Sequence, residues 1–206
     1  MHDFTSKELY MSNGGQKIYI YKDGFMDVYK ATPEEEAEWD KEIVANALTA
    51  IETETDRTVL QAAIDNLTYH RYLSLEEILF KYIRDSNPVR QAVFAAALWT
   101  RIAYPGSFAI LLKLLKDKGE EAVDDVFLSL NDFKNHQGAR AFLVGCLRGS
   151  DDKLVQYAIR TIETWAWSGM PALREGQLLA ELKVQNRHLL SFKAAIERLE
   201  KILDVV

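Results

Sequence analysis

Leu75-Glu76-Glu77-Ile78-Leu79-Phe80-Lys81-Tyr82-Ile83-Arg84-Asp85-Ser86-Asn87-Pro88-Val89-Arg90-Gln91-Ala92 reads as an apolar helix, a polar turn closed by a proline, and the start of a second helix. Two of its residues belong to columns that run through most of the chain. Strides of 32 from Ile51 land on Ile83, Leu115, Leu147 and Leu179, and a column four residues earlier reads Ala47, Leu79, Leu111 and Leu143. Apolar columns one helical turn apart, held in phase over this length, mark stacked helical pairs that bury their faces only against one another.

Working outward gives five pairs. The first helices are expected over residues 34–52, 74–84, 106–117, 137–148 and 172–183, and the second over 56–71, 88–103, 120–132, 151–167 and 186–203. The polar links are short: Thr53-Glu54-Thr55, Asp85-Ser86-Asn87-Pro88, Asp117-Lys118-Gly119, Gly149-Ser150-Asp151 and Val184-Gln185. Links of this length make consecutive helices antiparallel neighbours. The second helices keep the same step, with Phe94, Val126, Ala158 and Leu190 in one column and Leu98, Leu130, Ile162 and Ala194 in the next. Ala63 and Leu67 join them after a slip of one residue.

The quoted stretch resembles a HEAT repeat: an apolar helix, then Asp85, a turn with Pro88, then Val89-Arg90 and small residues. In that family the Asp and the Arg form a ladder between neighbouring repeats, a role the resemblance implies for Asp85 and Arg90. The third pair keeps Asp117 but has Glu121-Ala122 in place of Val-Arg, and the fourth has Gly149 in place of the Asp and Lys153-Leu154 in place of Val-Arg. The resemblance covers residues 34–203 as an architecture and the second pair as a motif. It implies an all-α fold, an α-α superhelix of about five HEAT-like pairs, and a binding scaffold rather than an enzyme.

The N-terminal 33 residues are set apart from this repeat domain of residues 34–206. Lys17 to Lys22, then Asp23-Gly24, then Phe25 to Lys30 places aromatic and β-branched residues on both sides of a turn pair suited to positive φ, which predicts a short β-hairpin. Pairing Tyr21 with Met26 and Tyr19 with Val28 would put these four side chains on one face. A lone hairpin is marginal, so that face is expected to cap the first helices, with Trp39 beneath it; an exposed edge strand that recruits a partner is the other reading. Thr32-Pro33-Glu34-Glu35-Glu36 then reads as a helix start, with an N-cap hydroxyl, proline at the first position and carboxylates in the first turn.

Composition narrows the function classes. The chain has 206 residues, 48% of them hydrophobic and 27% charged, with a formal charge of −6. This balance argues against nucleic acid or an anionic membrane, which clustered Lys and Arg would meet, and fits a basic protein partner. Cys146 is alone, and its position between Gly145 and Leu147 predicts a small buried side chain in a reducing compartment. The longest apolar run, Ala92 to Trp99, is far short of the roughly 18 residues a membrane span needs, and the first residues do not read as a secretory signal. A cytoplasmic protein is expected.

Catalytic signatures are missing from the sequence. His2, His70, His136 and His188 are scattered, there is no paired His-Glu-x-x-His or Cys-x-x-Cys spacing, and Gly14-Gly15 precedes a strand rather than a helix N-terminus. No metal or cofactor is expected. The second helices are instead expected to line the concave side of the superhelix. Their solvent-facing positions would be Gln61, Ala62, Asp65 and Asn66; Ala92, Val93, Ala96 and Ala97; Asp124, Asp125, Leu128 and Ser129; and Gln156, Tyr157, Arg160 and Thr161. Gln61, Asp65, Asn66, Asp124, Asp125, Leu128, Gln156, Tyr157 and Arg160 form the candidate partner-binding set. Trp99, Phe133, Trp165 and Trp167 are expected to close the core between repeats; exposed, they would be anchors.

The expected function is a non-enzymatic protein-binding module, of the kind a bacterium uses as an immunity partner against a secreted toxin. The alternative is a nucleic-acid-processing enzyme. The alkylpurine DNA glycosylases resemble the chain in size and helical pairing, and Trp99, Trp165 and Asp124 are its nearest ingredients to that family's groove tryptophan and catalytic aspartate. No motif supports carrying those roles over, and the basic stripe such enzymes use is absent from the sequence.

Overall fold

The computed structural model describes residues 5–16, 19–22, 25–28, 31–174, 176–184 and 188–204. The fold is all-α. The chain divides into two compact units, Met1–Val93 and Phe94–Val206.

The first unit opens with α1 (Ser6–Ser12), an element outside the five expected pairs. Its signal is Thr5-x-x-Glu8, a capping box in which each residue satisfies the other's backbone amide. Strands β1 (Tyr19–Lys22) and β2 (Phe25–Val28) pair antiparallel, with Tyr19 opposite Val28 and Tyr21 opposite Met26. Asp23 and Gly24 lie outside the described residues, as do the side chains of both strands. The longest helix, α2 (Pro33–Thr53), begins at the Thr32 cap with Pro33 in its first turn. It packs on α3 (Arg57–Tyr69), and α4 (Leu75–Tyr82) follows.

The first segment is tied down on α2 and α3 by polar contacts. Buried Tyr10 donates its hydroxyl to Asp40 Oδ1 at 2.6 Å, Lys7 pairs with Glu42 at 2.7 Å, and His70 Nε2 lies 3.1 Å from the Gly14 carbonyl. Trp39 stands beside Tyr10, ring centroids 5.4 Å apart. Gly14 has a φ of +59° and its backbone abuts Asn66 closely enough that a Cβ would strike the Asn66 amide.

Arg90 is the polar centre of this unit. It is 5% exposed, and its guanidinium donates to Asp85 at 2.8 Å, to the Ile51 carbonyl at 2.7 Å and to the Glu54 carbonyl. The last two carbonyls belong to the C-terminal end of α2, where helix geometry leaves them without intrahelical partners. Asp85 thus pairs inside its own turn, while the arginine reaches back to the preceding hairpin's backbone. Tyr82 covers the guanidinium, 4.8 Å from its ring centre.

The boundary between the units falls within α5 (Pro88–Ile102), every residue of which from Ala92 to Leu98 is buried. The second unit continues with α6 (Ser107–Lys118), α7 (Val123–Leu130), α8 (Gln137–Arg148), α9 (Asp152–Trp167), α10 (Leu178–Leu182) and α11 (Leu190–Leu203). Short 3₁₀ turns flank α7 at Gly119–Glu121 and Asn131–Phe133. The helices α6 and α7, α8 and α9, and α10 and α11 pack as neighbours, and α7 also packs on α9.

The core of this unit follows three of the sequence columns until its last pair, while in the column of Ile51 and Leu147 the positions Leu115 and Leu179 are half-buried and Leu114 and Leu178 face inward. Leu111, Val126, Leu130, Leu143, Leu147, Ala158 and Ile162 are all at most 1% exposed. The expected helix over 172–183 is broken: Pro171–Arg174 forms a 3₁₀ turn, Gly176 takes a φ of +63°, and only Leu178–Leu182 is α-helical. The step of 32 fails beyond that break. Leu190 is 83% exposed and Ala194 is also exposed, while Phe192, Ala195, Ile196, Leu199 and Leu203 face inward.

An aromatic cluster seats α8. Trp99 stacks on Phe133 at 5.5 Å, and His136 lies 5.0 Å from Trp99 and 4.9 Å from Phe108. His136 Nδ1 accepts the Ala139 amide at 3.2 Å and so caps α8. Burial holds this imidazole below the usual histidine range, against the opposing pull of backbone groups at Pro105 and at His136 itself, a direction that favours the neutral form this cap requires.

Candidate functional site: the α7–α9 face

Helices α7 and α9 each bury one stripe and present the other. On α9 the inward stripe is Val155, Ala158, Ile162, Trp165 and Ala166. Trp165 is fully buried and donates its indole N–H to the Leu130 carbonyl at 3.1 Å, fastening α9 to the end of α7. Trp167 follows two positions later, about 200° further round the helix. It is 72% exposed, with the Arg174 guanidinium 5.2 Å from its ring centre. Of the aromatics expected to close the core, Trp165 and Phe133 are fully buried, Trp99 is half-buried, and Trp167 departs from the expectation.

A cavity of about 220 Å³ lies on this face, lined by Asp124, Phe127, Leu128 and Asn131 of α7 and the turn after it, and by Tyr157, Arg160, Thr161 and Thr164 of α9. A second, more open depression shares Arg160 and Thr164 and extends to Glu163, Trp167 and Ser168. Leu128 is 51% exposed at its edge. Tyr157 donates its hydroxyl to Asp124 across the two helices, and its ring stacks on Phe127 at 5.1 Å. That hydrogen bond, with a smaller contribution from burial, pushes the phenol's pKa up. Asn131 Oδ1 is buried without a hydrogen-bond partner.

Asp124, Leu128, Tyr157 and Arg160 of the expected binding set therefore meet at one cavity, and half-buried Asp125 and exposed Gln156 stand on the same two helices. Gln61, Asp65 and Asn66 belong to α3 in the other unit: Gln61 and Asp65 are exposed, and Asn66 is half-buried against Gly14. The expected alanine-rich middle of the surface is corrected, because Ala92, Val93, Ala96 and Ala97 are all buried. A helix apolar on every side has no polar stripe to turn to water, so α5 has no solvent face there. Ser129 and Thr161 are buried as well. Trp167, Asn131 and Thr164 are the members of the face that the apolar columns do not point to.

Chemically, the face offers exposed apolar surface beside charged and hydroxyl side chains. Its acid, Asp124, accepts from Tyr157, and Trp165 and Trp99 are packed against protein. Cys146 is buried, and burial, with Asp151 nearby, pushes its thiol up to about 11, far from a reactive thiolate at neutral pH. Among the described residues no group of three His, Cys, Asp or Glu side chains could hold a metal ion, and no helix is long and apolar enough to cross a membrane. No protein-family model, curated protein or solved structure matches this chain.

Proposed function

We propose that this chain is a non-enzymatic protein-binding module built of HEAT-like helical pairs, and that it takes a basic protein segment on the α7–α9 face. The pairs would form the superhelix whose concave side carries that face, with the N-terminal hairpin as a cap. The observation that carries the reading is the pairing of two large exposed side chains, Leu128 and Trp167, with a largely apolar cavity between their helices that Asp124, Tyr157 and Arg160 help to line. Anchors of this kind, set beside polar groups that fix orientation, are the usual source of binding energy at protein interfaces.

The polar groups also favour a cation-bearing partner. Asp124 and Asp125 lie in the first turn of α7 and Glu120 just before it, so carboxylates gather at this end of the face, where a Lys or Arg of a partner would meet them. Neutralising a toxin by covering a basic surface is one use that fits such a module in a bacterium. Affinity capture with the purified chain, repeated with Asp124→Lys/Asp125→Lys, tests the reading. A basic protein retained by the native chain and lost by the double variant is expected, with the association rate falling as salt rises. Equal retention by both chains, or retention of duplex DNA at low salt instead of a protein, would count against it.

A further inference from the structure

A cavity of about 530 Å³ in the second unit, lined by none of the residues of the α7–α9 cavity, opens where the end of α8 and the Gly149-Ser150 link after it meet the first turns of α11. Its floor is apolar: Leu147, Phe192 and Ile196 are 1%, 3% and 5% exposed. Its rim carries Arg148, His188 and Lys193. Leu189 and Leu190, which follow the rim residue His188 in sequence, are 46% and 83% exposed.

The charges at this mouth run against the chain's net charge of −6. Arg148 is bonded to Glu200 at 2.7 Å, yet its side chain remains 58% exposed. Lys193 is exposed and makes no ion pair among the described residues. Asp151, beside the lining residue Ser150, is engaged in accepting the amides of Lys153 and Leu154 as the cap of α9, and exposed Glu197, one turn after Lys193 on α11, makes no ion pair with that lysine. A recessed apolar floor beneath a cationic rim is complementary to a ligand that has a large apolar group next to an anion.

We infer that this cavity is a second binding site, for a peptide segment in which glutamate or aspartate flanks leucine-sized side chains. The apolar side chain enters over Phe192 and Ile196, the carboxylate meets Lys193 and the exposed edge of Arg148, and Leu189 and Leu190 cover the segment's flank. A free inorganic anion would leave the floor bare. A flat lipid surface would not reach it, because the floor lies below the rim. The site is separate from the α7–α9 face and does not depend on what that face binds.

Fluorescence anisotropy of a dye-labelled peptide of alternating leucine and glutamate, titrated with the full chain, tests the inference. Saturable binding is expected, weakened about tenfold or more by Lys193→Glu and by Leu190→Ser, both exposed positions whose fold is checked by circular dichroism. A leucine–glutamine peptide and an alanine–glutamate peptide are expected to bind much more weakly, and Asp124→Lys is expected to leave the titration unchanged. Absence of saturable binding, equal binding of the glutamine peptide, full affinity in Lys193→Glu, or binding only to phosphatidylglycerol vesicles would overturn it.

Discussion

Replacing Arg90 with alanine is expected to destabilise the protein by about 3–5 kcal/mol, the range for removing one partner of a buried ion pair. The size follows from what the side chain leaves behind. The carbonyls of Ile51 and Glu54 at the end of α2 lose their donor, and Asp85 loses its counter-charge. Water cannot readily replace a side chain that is only 6% exposed. Lysine is not expected to rescue the loss, because one ammonium cannot reproduce a planar fork that serves three acceptors. Urea unfolding followed by circular dichroism measures both variants.

The same pair sets a pH dependence. Burial pushes the Asp85 carboxyl up, but the amide of Asn87, the Arg90 guanidinium and the amide of Ser86 outweigh it and hold the group below its usual range. A depressed carboxylate contributes stability above its unfolded value of about 3.9, and loses that contribution as pH falls through the folded value. The stability gap between the native chain and Arg90→Ala is therefore expected to be full at neutral pH and to narrow under acid. A gap that stays constant from pH 7 to acid unfolding would mean that the arginine acts through its packing and its bonds to the two carbonyls, with no contribution from the Asp85 pair.

Trp165→Ala is expected to cost a similar amount, about 3–5 kcal/mol, through the cavity left by the largest fully buried side chain. Trp165→Phe keeps most of the ring but strands the Leu130 carbonyl, and about 1–3 kcal/mol is expected from that lost hydrogen bond. Both variants should also loosen the α7–α9 contact and so weaken partner binding. Trp167→Ala is the informative companion. It lies on the same helix but points outward, so it should leave urea unfolding nearly unchanged while reducing binding. If Trp165→Ala and Trp167→Ala lowered stability equally, the inward and outward assignment of these two rings would be wrong.

Much of the helical plan is legible in the sequence because the apolar columns repeat wherever successive hairpins have the same length. Leu79, Leu111 and Leu143 are buried for one shared reason, and each supports the reading of the others. One column is already loose at Ile83 and Leu115, which are half-buried, and the rest fail at α11, after Pro171 and the positive φ at Gly176 interrupt the preceding helix. Proline and glycine are helix breakers by residue type, so this interruption is itself written in the sequence.

The site is legible in part. A fixed offset from the core column places Asp124, Leu128, Tyr157 and Arg160 on an open face, but the same offset applied to α5 fails, since Ala92 to Leu98 includes no residue that needs water. Trp167 can be found from spacing alone. On a helix with one buried stripe, residues two apart lie about 200° from each other, and Trp165 falls on the stripe of Ala158 and Ile162 whereas Trp167 falls off it. The contact between Asn66 and Gly14 is beyond sequence reading, because it joins segments with no shared pattern.

The most direct test of the binding reading is calorimetry of the purified chain with its captured partner, comparing the native protein with Leu128→Ala/Trp167→Ala. If the α7–α9 face carries the interaction, loss of both anchors should remove about 2–4 kcal/mol of binding energy, a drop of roughly thirtyfold or more, with the fold intact. An unchanged dissociation constant in the double variant would place the partner elsewhere and contradict the assignment of this face.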